Sequence, residues 1–387
     1  MTRSEYLQAL RAALSFLDAA ALDTAVNFYD EMIEDRMEDG MREEAAVASL
    51  EAPETIAAKM REEEPPAPAA QPEEGGESAE DETGWEKKTA VYPAAAIRAV
   101  ALNAADMGVH VHAAPGDQAT LTYYTSKTDV YTPQLENGVL TLDHVRRGSM
   151  VLIFTGKSAM DVLRGLLQGT AKPAIELALP ADTLADLTVS TTNARIRVEQ
   201  MAALCSVQLH TTNGKLALEN VQCKTLEGST TNGRLTLRGV NCRQSLHMTA
   251  TNGSVNAQDV QSGGDLALIT TNSGMTAQTL AAQGGLWLET KNGAIHAETL
   301  RAGVAAALIT SNAAVDADHV DAPRVTLRTS NGAIRGWLPG RQADWQIDSH
   351  TSSYCGNSLP ESAPGSGGRA LCVRTSNGGI DVRFTEE

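Results

Sequence analysis

The sequence predicts a mainly β protein: a right-handed parallel β-helix of about 20 residues per coil, preceded by a small all-α domain and a disordered linker. Three observations carry this. An asparagine recurs at near-constant spacing through the second half of the chain. Apolar residues keep fixed offsets from it. And the charge is confined to the first quarter: residues 1–88 hold a net −15 of the chain's −17, leaving residues 89–387 nearly neutral at −2.

Residues 1–61 read as an acidic helical bundle. Leu7, Leu10 and Leu14 share one face at spacings of three and four. Ser4 before Glu5 suits a helix start, and Asp23 suits the cap of a second helix. Val26, Tyr29, Ile33 and Met37 form the second apolar stripe, and Gly40 fits its stop. A third helix is expected around Glu43–Leu50, and a fourth opens at Pro53, since proline is tolerated at a first helical position. The acids Asp30, Glu31, Glu34, Asp35, Glu38 and Asp39 fall mostly opposite the stripe, as a solvated face or a docking surface for a protein partner.

The opening Ser4-Glu5-Tyr6-Leu7 with Leu10 and Leu14, then Tyr29-Asp30-Glu31, Gly40 and Leu50-x-x-Pro53-x-x-Ile56-Ala57 resemble the small bacterial HAAS signalling domain; Glu51 stands where that family usually has glycine. The resemblance implies a regulatory or protein-interaction module.

Residues 62–88 are rich in Pro, Glu, Gly and Ser and offer little to bury, so a self-repelling linker is expected, with order resuming near Trp85. Residues 89–180 read as a β-rich entry region. Val109–Val111 and Ala119–Tyr124 alternate with period two, and Glu136-Asn137-Gly138-Val139 carries a hairpin turn. A buried strand is expected at Val151–Phe154, a helical turn at Asp161–Leu167, and a strand at Ile175–Leu179 before Pro180.

From 181 to 387 the repeat takes over. Its asparagines are Asn193, Asn213, Asn232, Asn252, Asn272, Asn292, Asn312 and Asn331, at gaps of 20, 19, 20, 20, 20, 20 and 19, with Asn377 closing a ninth unit after an irregular insert at 341–370. Apolar residues sit six and four before each Asn (Leu266/Leu268, Leu286/Leu288), usually Thr two before, and aliphatics three and eight after (Ile295, Leu300). Two period-two runs thus flank an Asn-Gly bend in every coil. A one-residue slip would turn every inward side chain outward, which enforces the register. Stacked copies pair in parallel, and parallel crossovers favour the right hand. About nine coils give a rod of roughly 40–45 Å. The stacked amides are expected to form a ladder, the following glycine to supply a positive φ, and the inward threonines to bond between coils. Thin aliphatic rows leave little room for rings, which explains 4% aromatics. In the insert, Thr351-Ser352-Ser353 replaces the Asn motif, Leu359–Gly368 reads as a flexible loop, and Leu371–Phe384 as the capping coil.

Ile175–Pro180, Leu187-x-Val189-x-Thr191-Thr192-Asn193 and the repeated T-x-N-G-x-[IL] units resemble the bacterial putative-adhesin β-helix family, a domain of unknown function. That resemblance implies a binding or structural role and supplies no catalytic residues.

The composition narrows function further. No basic or aromatic row suits nucleic acid, no apolar run is long enough to span a membrane, and the N-terminus lacks a secretory signal. The expected place is the cytoplasm, with any membrane association through a partner. Cys205, Cys223 and Cys242 fall near the repeat spacing and are expected to stack as small buried groups; Cys355 and Cys372 flank the insert and are expected to stay thiols. No motif for a metal or cofactor appears. The one candidate for chemistry is an outward surface cluster of His296 and Glu298 on one coil beside Asp316 and Asp318 on the next, with Arg335 beyond and His319 nearby. The expectation is therefore a non-enzymatic, adhesin-like scaffold or binding module for a carbohydrate or other envelope ligand. The alternative is a carbohydrate-active enzyme using Glu298, Asp316 and Asp318. A concave groove with a basic residue in reach is what that alternative requires.

Overall fold

The computed structural model describes residues 2–16, 22, 25–26, 29–30, 32–33, 36–37, 41–62, 85–126, 128–146, 174–352 and 354–386. Asp23, Gly40, the linker from 63 to 84, and the expected elements at Val151–Phe154 and Asp161–Leu167 lie outside these. The chain divides into two units, one built on the helices and one on the strands.

In the helical unit, the first helix spans Arg3–Ala13. Its cap is Thr2, two residues before the expected start: the Thr2 hydroxyl accepts from the Glu5 N–H, while the Glu5 carboxylate accepts from the Thr2 N–H at 2.8 Å. This reciprocal pair satisfies two donors that a helix start leaves open. Glu43–Ala48 and Pro53–Glu62 are helical where the sequence placed them. Leu10 and Leu14 from the first stripe and Tyr29 and Ile33 from the second are buried against Val47 and Ile56. Of the six acids on the polar face only Asp30 is described, and it is paired with Arg3.

The second unit is a parallel β-solenoid. Copies of each position pair in register: Val255 with Met275, Met275 with Ile295, Ile295 with Val315, Val315 with Ile334 and Ile334 with Ile380. Every one of these side chains is buried, as are Leu268, Leu288 and Leu308 four residues before the ladder asparagines. Each threonine two before the Asn donates its hydroxyl to a backbone carbonyl of the preceding coil, as Thr230 does to Gly214 O at 3.1 Å and Thr270 to Gly253 O at 2.8 Å.

The ladder itself is continuous. The Nδ2 of Asn213 donates to Oδ1 of Asn193 at 2.6 Å, and each later asparagine donates to its predecessor at 2.6–2.8 Å, through Asn232, Asn252, Asn272, Asn292, Asn312 and Asn331 to Asn377.

The glycine after the Asn has a different role from the expected one. Its φ is not positive. A Cβ on Gly253 would lie 1.7 Å from the carbonyl oxygen of Gly233 in the coil below, and Gly214, Gly233, Gly332 and Gly378 are equally crowded. Close backbone approach selects the glycine. The left-handed residue stands seven positions after the Asn instead. Gln200, Asn220, Gly239, Asp259, Thr279, Thr299 and His319 all have φ between 53° and 61°. This bend shifts the in-out alternation by one residue, so that in Met275–Ala282 the buried positions run 275, 277, then 280 and 282.

The solenoid starts earlier than residue 181. Ala99–Asn103 and Val109–Ala113 pair with Asp186–Thr191 and Ile196–Glu199 as a further coil below Asn193. Beneath it lie Val139–Arg146 and Ile175–Leu179. The lower edge is covered by antiparallel Asp129–Glu136, which carries Pro133 and turns through Asn137 (φ 52°) and Gly138 (φ 83°), the expected hairpin.

At the other end the expected order of coils is reversed. Arg369–Arg374 pairs directly with Arg324–Arg328, so the Asn377 coil stacks on the Asn331 coil. Trp345–His350, earlier in the chain, lies outside it. Antiparallel Ser362–Ala363 pairs with that outer strand, and Ser366 N and Gly367 N donate to Ala343 O and Asp344 O. The cap is thus 345–363 rather than 371–384, and 359–368 is a fastened connection rather than a free loop.

Candidate functional site

The surface cluster follows from the register. Positions four and six after each Asn point outward on either side of a small inward residue: Ala277, Ala297, Ala317 and Gly336 in successive coils. The two outward columns flank a groove of about 500 Å³. It crosses the coils of Asn272, Asn292, Asn312, Asn331 and Asn377, about 19 Å at the spacing of parallel strands.

His296, Glu298, Asp316, Asp318 and Arg335 line it, and His319 does not. His296 stands opposite Asp316 and Glu298 opposite Asp318. Asp316 is held from both sides, by His296 Nδ1 at 3.0 Å and Arg335 NH1 at 3.3 Å. Gln278 Nε2 donates to Glu298 Oε2 at 3.2 Å. Asp318 Oδ1 is shut off from solvent and makes no hydrogen bond; His319 Nδ1 lies 2.7 Å away, out of line for one.

Sequence reasoning passed over the upper end of the groove, where Trp337, Asp381 and Arg383 join the same columns. The signal was the same offset: Trp337 is six after Asn331, and Asp381 and Arg383 are four and six after Asn377. The Arg383 guanidinium lies over the Trp337 ring at 5.6 Å and chelates Asp381 at 3.0 and 3.2 Å. Trp337 remains 43% exposed.

A family model for Toastrack DUF4097 matches residues 97–383, from the first strand of the lowest coils to the last strand of the ladder. The chain belongs to the Toastrack DUF4097 family. A HAAS model matches residues 5–59, so the helical head of this Toastrack protein is a HAAS domain. The solved structure of a putative cell adhesion protein from Clostridium sporogenes is similar at 9% identity, covering 78% of this chain and all of that one, with a TM-score of 0.19. No curated protein matches.

The Toastrack cysteines stack only in part. Cys223 and Cys242 face each other, Sγ to Sγ 3.0 Å, buried and reduced. The contact with Cys223 and then burial hold the Cys242 thiol far above the usual range, so it is no nucleophile. Cys205 falls out of the column, because Leu204 is the partner of Cys223. Cys355 and Cys372 are free thiols. Among the described residues no three His, Cys, Asp or Glu side chains group as metal ligands, and no helix is long and apolar enough to cross a membrane.

Proposed function

We propose that this Toastrack protein is a non-enzymatic binding scaffold in cell-envelope signalling, holding an extended carbohydrate ligand in the 276–383 groove and engaging a protein partner through its HAAS head. The observation that carries the ligand site is the groove itself, lined by polar and charged side chains along several coils and by Trp337, which is partly exposed beside the Arg383 guanidinium. Sugars are bound by this combination of a stacking ring and fixed hydrogen-bonding groups. The test is a glycan-array screen of the full chain against Trp337→Ala. Loss of the bound glycans in the variant supports the site; an unchanged profile refutes it.

The enzyme reading has one observation in its favour: its carboxylates do line a concave surface, with Arg335 beside Asp316. Against it, Asp316, Asp318 and Asp381 are open to solvent, with side chains 33%, 50% and 54% exposed. Acid–base pairs of glycosidases depend on one carboxyl in apolar surroundings. Polysaccharide digestion by the native chain, abolished in D316N/D318N, would reinstate the enzyme. For the head, recovery of partners with and without residues 1–62 decides: unchanged recovery removes it as the docking module.

A further inference from the structure

The column ten after the Asn runs Cys223, Cys242, Ser262, Ala282 and Ala302 up successive coils. All five are buried, so the place calls for a small side chain. Only the first two can react with each other. Cys223 and Cys242 are register partners on parallel strands, with their sulfurs 3.0 Å apart. Parallel neighbours stand about 4.8 Å apart, inside the roughly 4.4–6.8 Å between Cα atoms that a disulfide requires. About 1 Å of sulfur movement closes the bond.

The two thiols differ in access. A cavity of about 310 Å³ is lined by Cys223 together with Cys205, Lys224 and Arg243, whereas Cys242 is not in its wall. Cys223 is only 2% exposed, so a small oxidant is the kind that reaches it. Cys205 is out of the column, because Leu204 holds the place below Cys223.

We propose that Cys223 and Cys242 are a peroxide-reactive pair that closes a disulfide between two coils. Hydrogen peroxide is the co-reactant. The Cys223 sulfur attacks one peroxide oxygen, the O–O bond breaks, and the thiol proton leaves with the released hydroxyl as water. The product is a sulfenic acid on Cys223. The Cys242 sulfur then attacks the Cys223 sulfur, the S–O bond breaks, and the Cys242 proton leaves with that hydroxyl as a second water. The two thiols give up two electrons, and one peroxide becomes two waters. Position sets the order. At rest, the contact with Cys223 and then burial keep the proton on Cys242, so Cys242 is inert until oxidation of Cys223 removes that contact. The bond joins positions 19 apart and staples the coil of Asn213 to that of Asn232.

Trypsin separates the three neighbouring cysteines: Cys205 falls in 198–215, Cys223 in 216–224 and Cys242 in 239–243. The experiment treats the folded full chain with hydrogen peroxide, blocks remaining thiols, digests, and maps the peptides by mass spectrometry. A link between 216–224 and 239–243 is expected, reversed by dithiothreitol, with the unfolding midpoint of the linked protein higher by about 5 °C or more. Cys242→Ser, a residue the column already holds at Ser262, should leave a sulfenic acid on Cys223, trapped as its dimedone adduct, and no link. A link between 198–215 and 216–224, or oxidation confined to Cys205, overturns the pairing. So does a 216–224 to 239–243 link that forms only in urea. No adduct on Cys223 in Cys242→Ser overturns the order of attack, and an unchanged midpoint in fully linked protein overturns the staple.

Discussion

Asn193 donates its side-chain amide to Asp106 Oδ1 at 2.6 Å, across 87 residues of sequence. The asparagine ladder therefore rests on a carboxylate, an acceptor with no amide donor of its own, and Asp106 is its lowest rung.

That contact makes a simple comparison. Asp106→Asn keeps an acceptor oxygen and should hold stability to within ~0.5 kcal/mol. Asp106→Ala removes it and should cost about 0.5–1.5 kcal/mol. Urea unfolding of the full chain measures both; an equal cost for the two variants would show that the ladder does not depend on this rung.

The threonine bridges are worth more per residue, because they are dry. Thr230 accepts from Gly233 N at 3.0 Å and donates to Gly214 O at 3.1 Å while only 4% exposed. Thr230→Val preserves shape and strands both backbone groups, an expected loss of about 1–3 kcal/mol. Thr230→Ser, which keeps the hydroxyl, should recover most of it. Thermal unfolding of the pair gives the difference.

Thr299 has φ 56°, a conformation that β-branched residues rarely adopt. Asn220 occupies the equivalent place four coils below at a closely similar angle of 53°. Thr299→Asn should accordingly stabilise the solenoid, by up to ~1 kcal/mol, since asparagine tolerates this region better. A lower unfolding midpoint would mean that the threonine makes a compensating contact.

The helical head should fail in alkali. Burial, reinforced by Glu51, pushes the Tyr29 phenol from its ordinary value of 10.0 up to about 12. Tyr6, buried beside it, is raised as well. A neutral phenol favoured by the folded state contributes stability that is complete below pH 10 and lost as pH climbs toward 12. Helical circular dichroism should decline across that window, and Tyr29→Phe, which has no proton to lose, should decline less steeply. Identical titrations would show that Tyr29 does not govern the loss.

Much of this was readable in the sequence because it repeats. Every coil copies its neighbour, so a residue's offset from the asparagine gives its side, its burial and its partner, and the pairing of Glu298 with Asp318 follows directly. The misses lie where copying stops. The coil at 99–113 was hidden because Ala104-Ala105-Asp106 replaces Thr-Thr-Asn. The left-handed bend was hidden because glycine stands at one of its seven positions and the rest vary among Gln, Asn, Asp, Thr and His. The reversed order at the end was hidden because Ile347 and Val373 suit an inward place at either level, and the pattern of burial alone does not say which level lies outside.

That reversal bears on how the protein is made. The strand Arg369–Arg374 leaves the ribosome after Trp345–His350, yet it belongs between that strand and the rest of the rod. A lid that closed during translation would lock out its own last floor, so the upper end can be finished only once the strand Arg369–Arg374 has emerged. Truncation before Arg369 removes an inner storey and leaves the lid with nothing to stand on, so loss of residues 369–386 should be far more damaging than loss of the outer strand Trp345–His350.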